Sequence, residues 1–241
     1  MKKSLAFVLL LGIVLLSASC KRNVKHGKGP ATTVTRTVAA FTDVEVSAPV
    51  TAMIKVEPGA TPGIQLSGYA NILEDIKTDV VNGKLIIDKD ELIHFDLDKD
   101  VVATITVPSL NSLAIKGAAD AEIQGTIQND FNLKVSGAGD ITIANVTAQN
   151  FIATLTGAGS LVVNGGTVNT ASYKVSGAGD VEAFPLQAKV VKARVSGAGD
   201  IQLTATEKLD VTINGAGEVS YKGHPTTTSD INGVGSLEDA N

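Results

Sequence analysis

The side chains whose type and spacing could do chemistry form two series. Asp120, Asp140, Asp180, Asp200 and Glu218 each close a glycine-rich string, KGAAD, SGAGD, SGAGD, SGAGD and NGAGE, and Ser160 and Ser236 hold the same place in two further copies. Carboxylates brought side by side repel, and a calcium ion, which takes several oxygen ligands, would relieve that repulsion. An aspartate just after a turn also accepts hydrogen bonds from local amides and stays solvated. The solvated reading is preferred, with Asp140, Asp180 and Asp200 kept as the calcium candidates. The second series is basic: Lys134, Lys174 and Arg194, with Thr154 in the gap, each just ahead of a corner glycine. Such a row would contact an acidic glycan or pair with the acidic row across the bend; as isolated exposed charge it contributes little.

Other chemistry finds little footing. His26, His94 and His224 are far apart in sequence, there is no H-E-x-x-H, and the one cysteine, Cys20, has no partner. A phosphate-binding glycine loop needs a helix after its glycines, whereas alternating, strand-like residues follow them here. No catalytic residue, metal or cofactor is therefore assigned. A carbohydrate-active β-helix enzyme or binder acting on acidic polysaccharide is the alternative, with Lys174 and Arg194 beside Asp180 and Asp200 as base and carboxylates. The even spacing of the copies leaves no long loops to wall a groove for it.

That spacing identifies the elements that hold both series. The first glycines of the strings are Gly117, Gly137, Gly157, Gly177, Gly197, Gly215 and Gly233, at intervals of 20, 20, 20, 20, 18 and 18. Two residues before them stand Ile115, Val135, Leu155, Val175, Val195, Ile213 and Ile231, and apolar positions alternate with polar ones throughout each copy. Alternation is the period of a strand with one buried face. A meander of hairpins gives no reason for one residue type to return at one place every 20 residues. A parallel β-helix does, because each coil lies about 4.8 Å from the last and stacks like on like. The glycines then form a repeated corner, where positive φ and the lack of a Cβ let the chain bend sharply. Calcium rolls with a G-G-x-G-x-D unit repeat about every nine residues and draw ligands from facing turns, which this period does not provide.

Composition agrees. Aromatic residues are 4% against 44% apolar, and glycines number 24, a mixture suited to short aliphatic strands and frequent turns. The net charge of −5 and the lack of a basic stripe interleaved with aromatics argue against nucleic-acid binding. At the N-terminus, a positive start, an apolar run from Leu5 to Leu16 and small residues before Cys20 form an export signal. Cys20 sits where a bacterial lipoprotein is cut and lipidated, which makes the membrane a partner. Lys21-Arg22-Asn23 follows it instead of an acidic run, favouring the periplasmic face of the outer membrane over the cell surface. The expected organisation is a signal peptide over 1–19 and a flexible tether over 20–36. A β region of degenerate coils and a cap follows over 37–107, with regular coils over 108–241. Within 37–107, segments 44–56 and 64–76 read as irregular coils and 76–107 as the cap, with Asn82-Gly83 as a hairpin turn. The acidic end, Leu237 to Asn241, would discourage edge-to-edge stacking.

The order of FTDVEVS, GKLII, the step Ile105-Thr106-Val107-Pro108-Ser109-Leu110, serial SGAGD corners and Tyr221-x-Gly223-x-Pro225 resembles the GIN-domain family of auto-transporter adhesin heads, common in exported Bacteroidetes-type proteins. The resemblance spans about residues 38–241. It implies a right-handed parallel β-helix and adhesion as a role, and it carries over no catalytic residue. The resulting expectation is a non-enzymatic cell-envelope lipoprotein, an all-β solenoid of about 20-residue coils with an N-terminal β capping region. Its partner would be a glycan or protein met through repeated weak contacts.

Overall fold

The computed structural model describes residues 23–96 and 99–241. The export signal and Cys20 lie outside the described residues. The chain folds as a parallel β-helix. One sheet is built from the strands that run into the glycine corners and a second from the strands that leave them. A shorter third side, through Val146–Ala148, Gly166–Val168 and Leu186–Ala188, closes each coil. The seven corner glycines are consecutive ladder partners from Gly117 to Gly233. The aliphatic row two residues earlier is stacked in the same order, and its members from Ile115 to Ile213 are at most 1% exposed. Burying such a row in register is what holds one coil on the next, since each branched side chain fully buried contributes roughly 1.5–3 kcal/mol.

Volume is balanced along the rows. Tyr173, the largest fully buried side chain, has Ala153 and Ala193 directly below and above it in the ladder. Phe131 stacks on Phe151 at 6.0 Å, and Phe151 meets the Tyr173 ring edge-on at 5.9 Å. Offset and edge contacts of this kind suit aromatic quadrupoles. Burial pushes the Tyr173 phenol well above its ordinary pKa, so it stays neutral.

The N-terminal region differs from the sequence expectation in its order of stacking. Residues 43–56 form a coil, but the coil beneath it, built from Lys84–Lys89 and Val102–Val107, comes later in the chain. The next coil up, Ser112–Gly117 and Asp120–Ile127, lies on the other side of 43–56. The first coil is thus sandwiched between the second and the third. Segment 64–76 is not a coil. Gly63–Tyr69 runs antiparallel to Val102–Val107, and the short helix Ala70–Leu73 buries Ile72 and Leu73 across the end of the bore. The cap is this strand and helix with the antiparallel edge strands Ala31–Arg36 and Ile76–Val81, while Lys84–Lys89 and Val102–Val107 belong to a true coil. The turn at Asn82-Gly83 joins antiparallel strands with φ of 52° and 75°, as expected for a tight hairpin.

The segment expected to be a loose tether is also ordered. Asn23–His26 pairs in parallel with Ile93–Asp96 in a separate two-stranded ribbon, and Ala31–Arg36 is the outermost strand of the second sheet. Thr-rich, alternating ATTVTR has the β-propensity for an edge strand, and Arg36 donates to the Leu73 carbonyl at 2.8 Å, fixing it to the cap.

Candidate functional site

The acidic series lines one edge of the second sheet just beyond the corners, and its carboxylates point along the stack at backbone amides. Asp120 Oδ1 accepts the Asp140 N–H at 2.9 Å, Asp180 Oδ1 that of Asp200 at 3.0 Å, and Asp200 Oδ1 that of Glu218 at 2.8 Å. Asp140 accepts both the Ser160 hydroxyl at 2.7 Å and its N–H at 3.3 Å. Each aspartate therefore satisfies an amide that the corner removes from the regular ladder, and the serine at 160 divides the series. The four aspartates are exposed. Among the described residues, no group of three or more His, Cys, Asp or Glu side chains is arranged to hold a metal ion.

The basic series lies on the outer surface of the first sheet. Lys134, Thr154, Lys174, Arg194 and Thr212 are successive ladder partners, and Lys192 stands two residues from Arg194 on the same surface. All four cations are exposed, and none makes an ion pair or side-chain hydrogen bond within the described residues. The corner keeps them apart from the acidic edge: no ion pair joins Lys174 or Arg194 to Asp180 or Asp200. The arrangement is a column of positive charge, Lys134, Lys174 and Arg194, on a protein of net charge −5, with Lys192 beside it next to its ladder partner Asp210.

A third feature escaped sequence reasoning. Where other coils turn through a five-residue corner, the lowest coil leaves its first-sheet strand at Lys89 and returns at Val102. This excursion carries the ribbon strand Ile93–Asp96 and leans over the corners above it. Between them lies a cavity of about 380 Å³ lined by Pro49, Lys89, His94, Phe95, Gly117 and Ala118. A second of about 380 Å³ shares Lys89 and Gly117 and adds Glu45, Asp88, Glu91 and Lys116. Lys89 Nζ donates to the Ile93 and Asp90 carbonyls at 2.7 and 3.2 Å and sits 6.0 Å from the centre of the Phe95 ring, which fixes the wall. Lys116 and Lys84 both donate to Glu45, and the Lys116 hydrogen bond above all holds its carboxyl below the usual range. The excursion walls these cavities at the lowest coils, away from the evenly spaced copies that carry Lys174 and Arg194. The break in the 20-residue period between 88 and 101 was its only signal. The ribbon also brings together two histidines that the sequence separates: Val24 pairs with His94, and His26 lies 3.3 Å from Asp96.

Comparison with known proteins agrees with this architecture. A structure described as a "putative adhesin" from Bacteroides fragilis NCTC 9343 superposes with a TM-score of 0.85 at 27% identity, covering 89% of this chain and 99% of that one. One described as a "putative adhesin" from Parabacteroides merdae ATCC 43184 matches at 0.73 and 17% identity, over 91% and 100%. Another, described as a "putative lipid binding protein" from Parabacteroides distasonis ATCC 8503, matches at 0.69 and 22%, over 91% and 100%. The last two share the fold alone. No curated protein matches the chain. The family model described as "Putative auto-transporter adhesin, head GIN domain" matches residues 40–225, and the chain belongs to that family.

Proposed function

We propose that this chain is a non-enzymatic, adhesin-like binding module of the cell envelope, held at the outer membrane through lipidated Cys20, whose first sheet contacts an acidic polysaccharide. The observation that carries this reading is the column Lys134, Lys174 and Arg194, three exposed cations that make no ion pair and have alanine, threonine or each other as ladder neighbours on a regular surface. A row whose steps follow the coil spacing suits a polymer with its own repeat. Each contact is weak alone, and several engaged together give useful avidity. The adhesin descriptions of the fold's relatives are consistent with such a role.

Alginate, a polyanionic polysaccharide, is the probe. The protein is expected to bind it in low salt, and the Lys134→Glu, Lys174→Glu, Arg194→Glu variant to bind at least about tenfold more weakly, with a shallower salt dependence. Equal binding by the variant, with its circular dichroism unchanged, would show that this surface is not the contact.

A further inference from the structure

The order of residues 23–36 changes how the domain must sit relative to its membrane. A flexible tether over 20–36 would let the solenoid wander a root-mean-square distance of roughly 20 Å or more from its lipid. Instead, Asn23, the first described residue, is already paired with Ile93. Only Lys21 and Arg22 separate Cys20 from that strand. Three peptide steps, fully extended, reach about 11 Å, less than the headgroup region plus one protein side chain. With Cys20 acylated, the ribbon is therefore pulled against the bilayer.

The ribbon is dressed for that position. Its inner face, with Phe95 and Ile93, turns toward the body of the solenoid, and Phe95 packs on the core. Its outer face carries Val24, 52% exposed, beside His94 and the exposed His26–Asp96 pair, and Leu92, 76% exposed, projects from the turn just ahead of the strand. Val24 is the ladder partner of His94, and Leu92 lies in the turn that leads into the His94 strand, its N–H held by Asp90 Oδ1 at 2.9 Å, so both exposed apolar side chains belong to the same end of the ribbon. Among the described residues, Leu92 is the most exposed large apolar residue outside the terminal coil. Lys25, by contrast, is turned inward and tied to Asp75 at 2.5 Å. Asn71 accepts the Lys28 N–H at 3.0 Å and donates to the His26 carbonyl at 2.9 Å, which locks the segment to the cap and gives the ribbon a fixed orientation.

We infer that the outer face of the ribbon, centred on Leu92 and Val24, is a membrane-contact surface that seats in the lipid headgroup region and sets the orientation of the solenoid on the bilayer. This rests on the lipidated Cys20 of the proposed function, and it does not depend on the polysaccharide strip. The anchor supplies proximity; the apolar pair supplies orientation, because a surface held within reach of the interface meets it at high effective concentration.

The test uses the full-length protein, purified from membranes and reconstituted in vesicles of phosphatidylethanolamine and phosphatidylglycerol with brominated acyl chains. A fluorophore is placed at Glu91→Cys on the ribbon or at Ser176→Cys on the first sheet, and mass spectrometry reads acylation of Cys20 in the same samples. Quenching at position 91 several-fold above that at position 176, lost in the Val24→Asp, Leu92→Asp variant, is the expected result. Acylated protein with equal quenching at both sites overturns the contact surface and leaves the anchor standing. Quenching that survives the double aspartate variant overturns it too, since proximity would then come from the short linkage alone. An unmodified Cys20 removes the anchor and the inference together. Conversion of a detergent-solubilised dimer to monomer by the aspartate variant, without loss of quenching, would assign the apolar pair to a second copy of this chain instead.

Discussion

At the scale of the residue, the SGAGD corner is a steric statement. A Cβ built on Gly177, where φ is +131°, would lie 2.2 Å from the Gly157 carbonyl oxygen, and one on Gly179 would lie 2.4 Å from that of Gly159. Each glycine makes room for the carbonyl of the glycine below. The lowest copy tests this logic. Gly117 has positive φ but nothing within 4 Å of its added Cβ, and the second glycine is there replaced by Ala119. Below it runs Ser47-Ala48-Pro49, not another glycine corner. Gly177→Ala is therefore expected to lose about 2–4 kcal/mol in urea unfolding, from strained φ plus a backbone clash. Gly117→Ala should lose about 1 kcal/mol, for φ alone. Equal losses would mean that close coil contact is not what selects glycine. These positions were legible because the constraint is written on the residue itself and repeated. The Glu45–Lys116 pair was not, since its partners are 71 residues apart and meet only through the interleaved first coil.

At the scale of the element, alternation reveals strands without revealing their partners. IQLSG at 64–68 and ITI at 141–143 share the same period of two, yet the first runs antiparallel in the cap and the second parallel in a coil. Pairing direction depends on what the chain meets at either side, and only the repeated coils supply that through register. The upper end shows how an open solenoid edge is managed. Thr227, Ser229 and Asp239 stand above Leu209, Val211 and Tyr221, so the last coil presents polar side chains on the inward line. Ile231 and Val234 stay 39% and 87% exposed beside them. The expectation that acidic terminal residues restrain stacking concerns the same edge, and the polar replacements extend it. Changing Thr227, Ser229 and Asp239 together to Val should create an apolar template. Sedimentation velocity is expected to show species that grow with concentration beyond those of the parent chain. A concentration-independent profile identical to the parent's would show that the edge is guarded by something other than these side chains.

At the scale of the whole molecule, stability is close to one-dimensional: each coil contacts its neighbours, and no side chain spans the stack. This predicts which large changes the fold tolerates. Residues 157–176 make one full period, and Gly157 and Gly177 are ladder partners. Deleting all 20 joins Thr156 to Gly177, re-forms a T-G-A-G-D corner, and returns every later residue to its column one level lower. The cost is one coil's burial, including Tyr173, and its two flanking alanines, Ala153 and Ala193, then stack directly on each other. Deleting 157–175 instead joins Thr156 to Ser176 and shifts all following strands by one residue. In a strand that shift moves every inward side chain outward, so Val181, Val195 and Ile213 would face solvent while Glu182 and Arg194 turned into the bore. The 20-residue deletion should retain a β-sheet circular dichroism spectrum and a cooperative, lower-temperature melt, while the 19-residue deletion should be unfolded or aggregated although it removes less. If both fold alike, register between coils is not what organises the molecule, and the flat surface that carries Lys134, Lys174 and Arg194 would lose its physical basis.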